Sequence, residues 1–189
     1  MKTLVNSVRL LGAYKAKVVL IILLSASFAL PAYTQEVLWH ELIGKANTLY
    51  QQRRYQEAEG VYKEALKVAE DTFGSDHPNV ATSLNNLGEL YISKGNYSEI
   101  EPLYERALAI LEKALGPDHP DVAISSKNLA ELYYNQGRYT EAVPLYKDSL
   151  KILKEVLGPD HPEVAILLED IAALYKKIGK QDEAEQLLE

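Results

Sequence analysis

Leu115-Gly116-Pro117-Asp118-His119-Pro120 returns residue for residue as Leu157-Gly158-Pro159-Asp160-His161-Pro162, 42 residues later, and a looser copy, Phe73-Gly74-Ser75-Asp76-His77-Pro78, stands 42 residues before it. A fixed period of roughly 20 to 50 residues marks an array of stacked units. The hexapeptide itself reads as a corner. Glycine followed by proline stops an incoming helix, and the second proline is pre-set for the first position of an outgoing one. Asp121 or Glu163 then stands against the positive end of that helix.

Working outward from the corner, Leu84, Leu87, Gly88 and Tyr91 recur at steps of three and four, which is one face of an amphipathic helix. The face repeats as Ser126, Leu129, Ala130, Tyr133 and as Leu168, Ile171, Ala172, Tyr175. Gly95, Gly137 and Gly179 follow each copy, where a helix ends most easily in the left-handed conformation. A second helix begins there. Ile100, Tyr104, Ala107, Leu108 and Leu111 share its face, and Tyr139, Ala142, Tyr146, Ser149, Leu150 and Leu153 share that of the next copy. Pro102 and Pro144 fall in the first two turns, where a missing donor matters least, so the spacing predicts at most a slight bend.

The pattern Leu-x-x-Leu-Gly-x-x-Tyr, then Gly-x-Tyr-x-Glu-Ala-x-x-Leu-Tyr, then the Gly-Pro-Asp-His-Pro corner, resembles the tetratricopeptide repeats. Within that family it is similar to the long-period variety of kinesin light chains and many bacterial proteins. The resemblance covers residues 37–189 and implies an all-α, right-handed superhelical solenoid of antiparallel helix pairs. Registers divide it into repeats at 37–73, 78–115, 120–157 and 162–189, the last incomplete, about three and a half in all. The first departs from the pattern at Arg53, where glycine is expected. Leu187 and Leu188 fall where the family packs core. The array is therefore expected to be the front of a longer protein, or to be capped by a partner or by self-association through its C-terminal end.

Residues 1–36 read differently. Lys2, Arg9, Lys15 and Lys17 precede the apolar run from Val18 to Leu30, followed by Pro31-Ala32, the pattern of an export signal. That run of 13 residues is short of the ~20 needed to cross a bilayer comfortably. Cleavage is expected after Ala32, or secondarily after Ala29, giving a periplasmic or secreted protein. Left uncleaved, residues 15–30 would be the only membrane anchor. Losing the segment takes the formal net charge from −7 to −11, which argues against nucleic acid because phosphate contacts need clustered Lys and Arg. The absence of cysteine excludes disulfides and thiolate chemistry.

Catalytic patterns are missing as well. There is no glycine-rich phosphate loop, no Gly-x-Ser-x-Gly elbow and no His-Glu-x-x-His helix. His77, His119 and His161 are too far apart, with two helices between successive copies, to share a metal ion, and they read as corner residues. His40 is assigned no role. Glu57, Glu99, Glu141 and Glu183 recur in register, as solvated or capping positions do. Neither catalysis nor a cofactor is expected.

What remains is surface. In stacked helical hairpins the first helix of each pair lines the concave wall, so its non-core residues form a ladder along a groove. They are Asn85, Asn86, Glu89, Ile92 and Ser93, then Lys127, Asn128, Glu131, Tyr134 and Asn135, then Glu169, Asp170, Ala173 and Lys176. Amides at Asn86 and Asn128 offer both donor and acceptor to a peptide backbone, and the kinesin light chain resemblance implies that use. Gly44 and Asp170 weaken the ladder at its ends, and Glu89 and Glu131 disfavour an acidic guest. The reading is a non-catalytic interaction scaffold that binds a neutral or basic peptide or partner protein. The competing reading is the regulatory front of a larger bacterial enzyme, such as a caspase-like protease. A motor-cargo role conflicts with the export signal.

Overall fold

Each corner histidine closes the end of the helix it precedes. In the computed structural model, which describes residues 34–188, His77, His119 and His161 have extended backbones, and their Nδ1 atoms accept from the backbone N–H of Asn79, Asp121 and Glu163 at 3.1, 3.1 and 3.2 Å. The side chain thus satisfies a donor that the helix leaves orphaned, and the following proline, lacking an N–H, leaves none.

The helices are α1 (34–51), α2 (Tyr55–Phe73), α3 (Pro78–Lys94), α4 (Ile100–Leu115), α5 (Pro120–Asn135), α6 (Tyr139–Leu157), α7 (Pro162–Lys177) and α8 (Gln181–Gln186). They pair α1 with α2, through Ala46 and Leu49 against Ala58 and Tyr62, then α3 with α4, α5 with α6 and α7 with α8, and each pair stacks on the next. The result is an all-α, right-handed superhelical solenoid. Among the described residues there is no strand, and no helix is long and apolar enough to cross a membrane. The proposed export segment lies outside them, except for residues 34–36.

Turns within pairs follow one design. The N–H groups of Asn96, Arg138 and Lys180 reach back to the carbonyls of Tyr91, Tyr133 and Tyr175 at 2.9 Å, each across a left-handed glycine. In the first pair Arg54 makes the same bond to Leu49, and Arg53 itself takes the left-handed conformation at φ 59°. Pro102 is the third residue of α4, which follows a 3-10 turn at Tyr97–Glu99. Pro144 is the sixth residue of α6 and removes one hydrogen bond, to Thr140, yet the helix runs on to Leu157.

Burial goes further than one stripe per helix. Besides Leu84, Leu87, Gly88 and Tyr91, α3 buries Val80, Ala81, Ser83 and Leu90, because it is flanked by both α2 and α4. Ser83 is fully buried and satisfied: it donates to the Asn79 carbonyl at 2.9 Å and accepts from Trp39 Nε1 at 3.0 Å. Trp39, the one tryptophan, seals the first pair against Phe73, with ring centroids 6.5 Å apart. The apolar core that starts there continues to Ala184. Leu187 packs against it, whereas Leu188 is exposed.

The in-register glutamates serve helix starts. Glu57, Glu141 and Glu183 pair with Arg54, Arg138 and Lys180 at 2.6, 2.6 and 2.9 Å, and Glu99 accepts from the Asn96 amide at 2.9 Å. Their partners hold the carboxyls of Glu57, Glu141 and Glu183 below the usual range. Between pairs, Arg138 bonds both oxygens of Glu101 at 2.8 Å and lies 4.0 Å above the Tyr133 ring, while Lys94 bridges back to Glu59.

Candidate functional site

Helices α3, α5 and α7 stand side by side along the groove, and three depressions lie between them. The first, of about 210 Å³, is walled by Asn85, Asn86 and Glu89 of α3, Leu111 of α4, and Ile124 and Asn128 of α5. A second, of about 280 Å³, lies between the N-terminal halves of α5 and α7 and contains Ile124, Lys127, Asn128, Ser149, Leu153 and Ile166. A third, of about 270 Å³, lies further along the same seam, between Glu131, Tyr134 and Asn135 on one side and Asp170 and Ala173 on the other, with Tyr146 beneath.

Ten of the fourteen ladder residues named from sequence line these walls, Asp170 and Ala173 of α7 among them. Ile92 does not: it is half-buried and packs against the core. Asn85 is tied to the next helix, its Oδ1 accepting from Ser125 at 3.4 Å. Among the described residues, the side-chain amides of Asn86 and Asn128 hold no protein partner, so their donors and acceptors face the groove.

The floor is acidic. Glu89 keeps solvent access, yet the helices around it strip water from its carboxylate, and Glu131 one repeat along adds repulsion, so its pKa rises. Burial also raises Asp170, with Lys127 opposing and Glu169 assisting the shift. Lys127 Nζ sits 3.3 Å from Glu131 Oε1. Beneath them run buried tyrosines. The Tyr62 hydroxyl donates to Asn47 at 2.6 Å and is pushed up to about 12 by burial, then by Glu89. Tyr104 and Tyr146 are pushed up in the same way, by burial first and then by the carboxylates above.

The tetratricopeptide repeat family matches residues 36–113, 92–155 and 124–189, windows that overlap to span the described chain. The chain belongs to this family. Among solved structures, the tetratricopeptide repeat protein is similar to a kinesin light chain of Podosopora anserina with nearly identical TPR-like repeats. That likeness has 28% identity over 78% of this chain and 70% of that one, with a TM-score of 0.71. BtubC (BKLC) of P. vanneervenii shares the fold at a TM-score of 0.75 and 24% identity, over 82% of this chain and 61% of that one. A comparison with curated proteins returned no match.

In this tetratricopeptide repeat array the conspicuous histidines are committed to helix starts, and no group of three or more His, Asp or Glu among the described residues is placed to hold a metal ion. Sequence reasoning missed Ile124, Ile166, Ser149 and Tyr146 as groove residues. Ile124 and Ile166 are 52% and 53% exposed, and their shared register was the available signal.

Proposed function

We propose that the array is a non-catalytic scaffold that holds an extended segment of a partner protein in its concave groove, outside the cytoplasm. The observation that carries this reading is the pair Asn86 and Asn128, which lie on successive first helices, face one depression and leave their amides unengaged. An extended chain presents N–H and C=O groups on both edges, which primary amides match without regard to sequence. Similarity to kinesin light chain repeats supports a protein guest. The acidic floor supports a neutral or basic one.

Asn86→Ala combined with Asn128→Ala tests the reading. Each lost side-chain hydrogen bond is worth about 0.5–1.5 kcal/mol, so the double variant should capture its partner from native extract about tenfold more weakly, with unchanged helicity by circular dichroism. Equal capture would contradict a guest in the groove. Export rests on the basic start and apolar run of residues 2–30. N-terminal sequencing of the exported protein should begin at Tyr33, and an intact Met1 on a cytoplasmic chain would contradict export.

A further inference from the structure

The two depressions along the α5–α7 seam differ in chemistry. The one near the helix starts is apolar: Ile124 and Ile166, both more than half exposed, stand on either side, with Leu153 at its base. Ser149 also lines it, in the register of Ala65 and Ala107, and its fully buried Oγ has no partner among the described residues. An orphaned buried hydroxyl is costly.

The depression further along is anionic. Glu131 and Asp170 face it from opposite helices, with the Tyr134 ring beside them. Tyr146, 3% exposed, contributes a hydroxyl that no described residue engages. Lys127 reaches Glu131 from the apolar side of the seam and also acts on Asp170. Seven residues separate Ile124 from Glu131, about 10 Å along a helix rising 1.5 Å per residue. An extended chain covers that span in about three to four residues.

Resting on the groove reading above, we infer that the guest segment carries an arginine or lysine three or four residues from a large aliphatic residue. The aliphatic side chain sits between Ile124 and Ile166, and the cation sits between Glu131 and Asp170, displacing Lys127. Charge complementarity selects this occupant: the anionic depression sets the carboxylates of Glu131 and Asp170 against the Lys127 ammonium, and offers an aromatic face suited to guanidinium. Lys127 is then a resident counter-ion that keeps the empty seam paired, at a cost to affinity for the guest.

The test titrates the full-length chain with short Gly/Ser peptides, capped at both ends, that carry one Leu and one Arg four residues apart. Controls replace Arg by Glu, replace Leu by Ser, or place the two side by side. Binding is read by fluorescence anisotropy, and its location by amide chemical shifts. The Leu/Arg peptide should bind about tenfold more tightly than its Glu counterpart. Lys127→Gln should tighten it about threefold, whereas Glu131→Gln with Asp170→Asn should erase the preference for Arg. Ile124→Ser with Ile166→Ser should erase the preference for Leu. Peptides that shift groove resonances equally with Arg or Glu, or a Lys127→Gln variant that binds the Leu/Arg peptide more weakly, would overturn this inference and leave the groove reading standing. If no peptide shifts any groove resonance, both fall.

Discussion

The ring of Tyr104 lies so close against Gly88 that a Cβ there would come within 2.2 Å of its Cε1 atom. The other pairs carry Ala46, Ala130 and Ala172 in this register. Only the second pair has glycine, and among the described residues it alone opens its second helix with a 3-10 turn. Gly88→Ala gains about 1 kcal/mol of helix propensity but must displace a fully buried ring, which costs about 1–3 kcal/mol. A loss of roughly 1 kcal/mol in unfolding free energy, seen as a lower urea midpoint, is expected. A higher midpoint would show that Tyr104 is free to move.

Arg53 points to a change in the other direction. A side-chain-bearing residue at φ 59° costs about 1–2 kcal/mol, against about 0.5–1 kcal/mol for the extra chain entropy of glycine. Arg53 is exposed and forms no ion pair among the described residues. Arg53→Gly is therefore expected to raise stability by up to about 1 kcal/mol in urea unfolding, followed through Trp39 fluorescence. A loss would mean that the arginine makes a contact of greater value.

The histidine caps make a graded series. His119→Ala should cost about 1 kcal/mol, the usual loss for an N-cap, and His119→Ser should recover most of it because a hydroxyl can accept from the same turn. Thermal midpoints of the two variants decide the matter. If they coincide below the wild type, the imidazole works by packing and not by accepting the Asp121 N–H.

Two glutamates should respond oppositely to pH. Lys63 and Lys94 hold Glu59 at about 2, so its stabilising pair is complete above the ordinary value of 4.5 and is lost as pH falls towards 2. Glu59→Gln should therefore destabilise the protein at pH 7, with the deficit shrinking between pH 4.5 and 2. Glu89 is raised, so its protonated form is favoured on folding, and that contribution is lost as pH rises through its folded value. Glu89→Gln should stabilise at pH 7 and match the wild type at pH 3. The same sign for both variants at pH 7 would contradict the assigned environments.

The repeat was legible because its punctuation is chemical. The Gly-Pro-Asp-His-Pro corners, the left-handed glycines and the recurring Glu57, Glu99, Glu141 and Glu183 each do one local job whatever the tertiary context. The second buried stripe was not legible, since Ser83 and Ser125 are polar letters that the fold buries against Trp39 of α1 and Asn85 of α3, which bond their hydroxyls. In the groove, register alone brought Asn86 and Asn128 to the same depression. Ile92 packs against the core, which spacing alone does not report, and Ile124 and Ile166 went unnamed because an aliphatic residue carries no sign of which neighbour is missing.

The central claim, a guest chain in the concave groove, is tested most directly by site-specific photo-crosslinking of the full chain in native extract. A photoreactive residue replaces Asn128 on the groove wall or Ala109 on the outer surface of α4. The account expects one partner band from position 128 and none from position 109. Equal crosslinking from both positions, or crosslinking from 109 alone, would contradict it.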